Sequence, residues 1–313
     1  MHRRTLLAAA AGISLASPAI AQSWPARPIR LVIPYPPGGG TDIAGRIIAH
    51  RLGNVWGQTV VVENRGGAGG MIGTRAVGQA EPDGYTLLFN GTTSVVRDNF
   101  DPRTVVDHVV RVAATHNILV INRTIPATTV PEFIAYLKAN PGKVNHGTAG
   151  PLASQHLAAV MFDLLAGTRM ENIHYRGTGP SVVGILGNEV QCMFGSMSAV
   201  LPLIQDGKLV ALATSSARRS QLLPQLPTVG DFVPGYASEL TYSLCTPIGA
   251  SASLKRRLEE TVKTALDDPT IVEELRVRGF EPAYEVGDSL HNAIETDMAL
   301  WADVTRRAGI DLN

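Results

Sequence analysis

From Ile29 onward, short apolar runs alternate with amphipathic stretches, and the pattern predicts strands and helices in turn. Ile29 to Ile33 reads as a buried strand. Beyond the Pro-Gly loop Pro34 to Gly40, Thr41 reads as the N-cap of a helix that buries Ile43, Ile47, Ile48 and Leu52 and stops at Gly53. Val60 to Val62 is the next strand, followed by the glycine stretch Gly66 to Gly70, a short helix from about Met71 to Ala80, the Asp83-Gly84 turn and a strand from Tyr85 to Phe89. Two further strands, Val109 to Ala113 and Ile118 to Ile121, precede a helix opened by the capping box Thr129-x-x-Glu132 and closed by Pro141-Gly142.

The rhythm then repeats. Strands are expected at Val144 to His146, Ile173 to Tyr175, Val190 to Phe194 and Leu209 to Thr214. Between them lie helices from Ser154 (burying Leu157, Val160, Met161 and Leu164), near Ser181 to Leu186 and near Ser198 to Ile204. A Pro-rich connector, Leu222 to Pro234, leads to one more strand, Leu240 to Leu244, and then to three helical stretches ending near Ala308, the second begun by Asp268-Pro269. Such alternation predicts an α/β fold, parallel sheets covered by helices, in two lobes.

A length of 313 residues suits two ordinary domains. Basic and acidic residues number 27 each, and only 17% of residues are charged, which argues against a nucleic-acid binder. The beginning of the chain reads as an address. His2-Arg3-Arg4, the apolar run Thr5 to Ala16 and the small-residue pattern Ala19-Ile20-Ala21 predict a secretory signal peptide over 1–21, cut after Ala21. The Arg pair leaves both the general and the twin-arginine export routes open. No later run of 18 or more apolar residues and no lipobox cysteine follow, so the mature chain is expected to be soluble outside the cytoplasm.

Candidate chemistry lies in the glycine loops. Gly38-Gly39-Gly40-Thr41-Asp42, Gly66 to Gly70 and Gly147-Thr148-Ala149-Gly150 each stand between a strand and a helix, where backbone N–H groups and the helix dipole converge on an anion. Each is equally readable as a tight turn. Asp42 is most simply a dipole-stabilising acid, His156 a packed histidine, and Arg176 either an anion partner or a surface side chain. No G-x-x-x-x-G-K-[ST], no G-x-S-x-G, no H-E-x-x-H and no C-x-x-C occurs, so nucleotide, hydrolase and metal chemistry lack a signature, and no cofactor is expected. Cys192 and Cys245 leave a single disulfide open.

Taken together, Trp24-Pro25-x-Arg27-Pro28 with Ile29 to Asp42, Val60 to Gly70, Pro82-Asp83-Gly84-Tyr85-Thr86-Leu87-Leu88, Tyr175-Arg176-Gly177 and Leu226-Pro227-Thr228-Val229 resemble the periplasmic Bug-type receptors of tripartite tricarboxylate transporters. The resemblance spans essentially the whole mature chain. It implies a two-lobed periplasmic binding protein of type II-like fold, with two parallel or mixed sheets flanked by helices and a ligand cleft between the lobes. Domain one would be 22–121 plus 246–313, and domain two 122–245.

It also implies a monomer in the periplasm that binds a small organic carboxylate, without catalysis, and delivers it to integral membrane permease subunits. A receptor presenting the carboxylate to a membrane sensor kinase is the alternative. Carried over by position, the ligand-binding residues would be Tyr35, Gly39, Gly40, Thr41, Asp42, Gly69, Thr92, Thr93 and Ser94 in the first lobe. In the second they would be Thr148, Ala149, Gly150, Ser154, His156, Tyr175, Gly195 and Ser196. Two departures stand out. Gly195-Ser196 replaces a family Asp-Asn, removing an acid suited to amine-bearing ligands, and the shorter stretch Val95 to Asp107 widens the expected cleft rim.

Overall fold

The computed structural model describes residues 24–91 and 100–310, so the expected signal peptide and Thr92, Thr93 and Ser94 lie outside the described residues. β1 (Ile29–Ile33) is almost wholly buried and pairs in parallel with β2 (Val60–Asn64) and β3 (Thr86–Gly91). α1 (Gly40–Trp56) and α2 (Met71–Gly78) link these strands. The expected strands at Val109 and Ile118 are one continuous element, β4 (Val106–Ile121). Its polar interruption Thr115-His116-Asn117 suggested a break, but all three are buried within the strand.

After α3 (Val130–Ala139) the chain alternates through β5 (Asn145–Thr148), α4 (Ser154–Ala166), β6 (Glu171–His174), α5 (Thr178–Leu186), β7 (Cys192–Ser196), α6 (Met197–Gln205) and β8 (Val210–Thr214). β9 (Glu239–Pro247), α7 (Ala252–Leu266), α8 (Pro269–Val277), β10 (Glu281–Val286) and α9 (Gly287–Arg307) complete it. β10 falls where only helix was expected; it pairs with β4 alone, an edge position that tolerates Pro282.

The sheet is mixed rather than parallel. Its order is β2-β1-β3-β9-β4-β7-β5-β6, with β8 and β10 also on β4, and every pairing of β4 and β9 is antiparallel. β9 and β10 flank Val110–Ala114, whereas β7 and β8 flank Ile118–Ile121. A strand has only two edges, so β4 alone is common to the two portions of the sheet.

Each portion has its own core. Around the first, Ile48, Leu52, Phe89, Leu244, Leu258 and Phe280 pack together, and around the second, Phe133, Leu157, Phe162 and Phe194, joined by Trp301 and Val304 of α9. His146 splices β5 to β7. Their backbone ladder makes a single pairing, and the ring Nε2 instead accepts the Phe194 N–H at 3.0 Å while Nδ1 meets Asn172. Cys192 and Cys245 are free, buried thiols in separate clusters. Among the described residues no helix is long and apolar enough to cross a membrane.

Candidate ligand-binding cavity

Two loops are built by the same device. At the first, three prolines, Pro34, Pro36 and Pro37, end β1 because a proline ring supplies no N–H to the ladder. Gly38 then takes φ +85°, a conformation that glycine adopts without strain. The N-cap of α1 is Gly39, not Thr41 as expected, and no side chain caps the helix start. Asp42, the third helical residue, reaches back instead. Its Oδ2 accepts the Gly38 N–H at 2.9 Å, and its Oδ1 accepts from Arg46 and Asn64, while Asn64 also donates to the Tyr35 carbonyl. Burial alone would raise the Asp42 pKa, but these hydrogen bonds from Arg46, Gly38 and Asn64 together hold it below the usual range.

At the second loop, the Thr148 Oγ accepts the Gly150 N–H at 3.1 Å and touches His174 Nδ1 at 2.7 Å. His156, again the third helical residue, accepts the Leu152 N–H on Nδ1 at 3.1 Å. Burial lowers its pKa to about 4, so the ring is neutral at pH 7.

Between these loops, where the two portions of the sheet meet, lies a cavity of about 440 Å³. Four helix N-termini open on it: α1 at Gly39–Thr41, α4 at Ala153–Gln155, α5 at Gly177–Gly179 and α6 at Ser196–Ser198. None of the four has a side-chain cap. Away from the cavity, α3, α7 and α8 are capped by Thr129, Ser251 and Asp268, whereas α2 and α9 also start without a side-chain cap, so it is the convergence of the four starts on one space that sets them apart. First-turn N–H groups lacking an internal partner, added to the positive dipole ends, make the cavity an acceptor of anions. Arg176 is the only charged side chain on its wall among the described residues, and it makes no ion pair among them.

The floor is formed by Thr115 and Asn117 of β4, beside an apolar side of Leu240, Tyr242 and Phe280. The Tyr242 and Phe280 rings meet edge to face at 5.7 Å. The Tyr242 hydroxyl lies against Gly40, where a Cβ would come within 2.7 Å of it, so the residue at 40 has no room for a side chain. The buried Gln155 amide donates to Thr178 at 3.3 Å and leaves its Oε1 without a protein partner.

Of the residues expected at the site, Tyr35, Gly39, Gly40, Thr41, Ala149, Ser154 and Ser196 line the cavity. Asp42, Thr148 and His156 lie behind its walls as loop supports. Gly150, at φ +135°, shapes the second loop without lining the cavity. Tyr175 is turned away, donating to Glu189 at 3.0 Å. Gly195 is buried against Val200, and Gly69 sits in the short 3-10 turn (Ala68–Gly70) ahead of α2. Sequence reasoning missed Thr115, Asn117, Gln155, Tyr242 and Phe280. For the first two a signal existed, the run of three polar residues inside an apolar strand. Among the described residues no group of three or more His, Cys, Asp or Glu is placed to hold a metal.

An α/β chain whose central strand joins two cores, with uncapped helix starts turned into the space between them, has the form of a solute-binding protein. Residues 44–310 match the family model of the tripartite tricarboxylate transporter family receptor. Protein BugT of Bordetella pertussis is 34% identical, over 97% of this chain and 95% of its own. Among solved structures, R. palustris Rpa4515 with adipate superposes with a TM-score of 0.85 at 29% identity, over 92% of this chain and 99% of that one. The periplasmic binding protein BugD does so at 0.82 and 29%, over the same shares. The chain belongs to the tripartite tricarboxylate transporter receptor family, and is a binding protein, not an enzyme.

Proposed function

We propose that the protein is a periplasmic receptor that captures a small organic dicarboxylate between two lobes and delivers it to the membrane permease subunits of a tripartite transporter. The observation that carries this reading is the convergence of four uncapped helix N-termini on one cavity whose sole charge among the described residues is Arg176. α1 approaches from the first portion and α4, α5 and α6 from the second, which suits an anion with a charge at each end. The adipate of the related R. palustris structure has that form. Closure of the lobes would add contacts that only a bridging ligand completes, shifting the open and closed populations.

In this reading the lobes are about 22–121 plus 246–313 and 122–245, and the protein acts as a monomer after cleavage at Ala21. Pairing of all of β9 with β3 and β4 favours moving the boundaries to Asn117 and Ser238, and α9 would span both lobes. Tyr35, Gly39, Gly40 and Thr41 on one wall and Ala149, Ser154 and Ser196 on the other would face the ligand, with Asp42, Thr148 and His156 acting from behind.

The test is a thermal-shift screen of the chain from Gln22, refolded to strip carried-over ligand, against mono-, di- and tricarboxylates, amino acids and sugars. A ligand at a hundredfold excess over Kd stabilises by about 2.7 kcal/mol. A shift with dicarboxylates supports the reading; a shift confined to sugars or amines overturns it.

A further inference from the structure

The chain crosses between the two portions of the sheet at His116–Asn117 of β4 and again between the end of β8 and the start of β9. Ser215, fully buried, stands between the crossings with all four of its hydrogen-bonding groups engaged. Its N–H donates to the Asn117 carbonyl at 2.8 Å, and its carbonyl accepts the Ser238 N–H at 2.7 Å. Its hydroxyl accepts the Asn117 N–H at 2.9 Å and donates to the Ser238 carbonyl at 2.6 Å.

Register explains why a hydroxyl is needed. β8 pairs Thr214 with Ile118, so Ser215 falls opposite Asn117; β9 pairs Glu239 with His116, so Ser238 falls opposite the same residue. Both strands therefore arrive at one point of β4 and neither can complete its ladder there. The Ser215 carbonyl turns to Ser238, and the side chain takes over the bond to Asn117 that the carbonyl would have made. Neighbouring hydroxyls finish the junction: Thr214 Oγ1 meets Ser216 Oγ at 3.0 Å, and Ser216 donates to the Arg218 carbonyl at 2.7 Å. Asn117 itself forms the cavity floor.

We propose that Ser215 is a positioning residue, a clasp that ties both chain crossings into one axis about which the cavity walls move, and that holds Asn117 in place on the floor. This rests on the reading that the walls belong to two moving lobes. With the clasp intact, rotation is confined to backbone outside the bonded triad of Asn117, Ser215 and Ser238. Without it, each crossing flexes separately and the walls lose their common axis.

The test needs no ligand, so failure to find a carboxylate leaves it intact. Spin labels on Lys138→Cys of α3 and Glu273→Cys of α8, both exposed, report the distance between the portions, because the native cysteines are buried. Ser215→Ala is expected to broaden that distance distribution, and Ser215→Thr, which keeps the hydroxyl, to restore it. A wild-type distribution in Ser215→Ala overturns the clasp. One fixed distance in wild type and variant alike overturns the moving walls as well. If Ser215→Ala does not fold, amide exchange of the wild-type protein decides: the Asn117, Ser215 and Ser238 amides are expected in the slowest-exchanging class, opening only with global unfolding. Exchange of these three with the fast surface amides overturns the proposal.

Discussion

Asp42 and His156 hold matching positions at the starts of α1 and α4. Each is the third helical residue, and each accepts the backbone N–H of the residue four places earlier, Gly38 or Leu152. A carboxylate and a neutral imidazole thus do the same work: each folds its loop back over the helix start, so that the uncapped first turn faces the cavity. The consequences of removing them differ with burial. Leu152 is buried, so His156→Ala strands an N–H away from water and is expected to cost about 1–3 kcal/mol in urea unfolding. Gly38 is exposed and water replaces its partner, so Asp42→Ala is expected to cost less stability but to weaken ligand binding by loosening the Tyr35–Gly40 wall.

Acid is expected to act on the second loop before the first. Burial lowers the pKa values of His116 and His156 to about 4 and of His146 to about 3. A group whose folded pKa is depressed contributes its stability fully above the unfolded value, 6.5 for histidine, and loses it as pH falls toward the folded value. Each of the three therefore removes up to about 1.4 kcal/mol per pH unit between 6.5 and 4. Asp42, held below 3.8, contributes until the pH is lower still. Urea midpoints at pH 7, 6 and 5 check this; a flat profile across that window would show that burial does not hold these rings below the unfolded value of 6.5.

Much of the fold was legible because its elements follow hydrophobic period. The strand at Ile29–Ile33 has the expected bounds, and the Thr129 capping box forms with both of its hydrogen bonds. What escaped was long-range. Thr115-His116-Asn117 looked like a break because polar residues inside an apolar run normally leave a sheet, yet here they pass through the junction where two strands change partners. β10 escaped because an edge strand carrying Pro282 has little apolar alternation. At the candidate site, the loops at Gly38–Asp42 and Gly147–Gly150 lead to two of the four helix starts that open on the cavity, whereas Gly66–Gly70 leads to α2, which does not reach it. Tyr242 and Phe280 had no local signal, since the cavity acquires them through the pairing of β9 and β10 with β4.

The two threonines of the loops are expected to separate. Thr41 lines the cavity on the second residue of α1, and Thr41→Val is expected to weaken binding with little change in stability. Thr148 is fully buried, and its hydroxyl serves Gly150 and His174 rather than the cavity. Thr148→Val leaves both without that partner, and because His174 is exposed and Gly150 half-buried, so that water replaces part of the loss, it is expected to lower stability by about 0.5–1.5 kcal/mol. Thermal melts read beside calorimetric Kd values distinguish the two; equal stability loss in both variants would mean that Thr41 is structural as well.

Glycines 40 and 195 are expected to resist substitution for different reasons. A Cβ at 195 would stand 2.2 Å from Val200 Cγ1, inside a buried strand, and Gly195→Ala is expected to cost about 1–3 kcal/mol through overpacking. At 40 the obstacle is the Tyr242 hydroxyl, and the Tyr242 ring also lines the cavity. Gly40→Ala is therefore expected to displace that ring and reduce affinity more than stability. An unchanged Kd in Gly40→Ala would show that the ring is not part of the binding surface.

Arg176 is expected to discriminate by ligand charge. The helix starts offer partial charges to any carboxylate, whereas Arg176 is the one full charge on the wall among the described residues. It is exposed, so its attraction is screened by water and salt, and its worth is about that of a surface pair, up to about 1 kcal/mol. Arg176→Gln is accordingly expected to weaken a dicarboxylate roughly three- to fivefold at low salt. A monocarboxylate bound at the α1 wall alone would be unaffected, and the difference is expected to shrink as salt is raised. Equal weakening of both ligands would place Arg176 in the folding of the α5 loop rather than in recognition of the second charge.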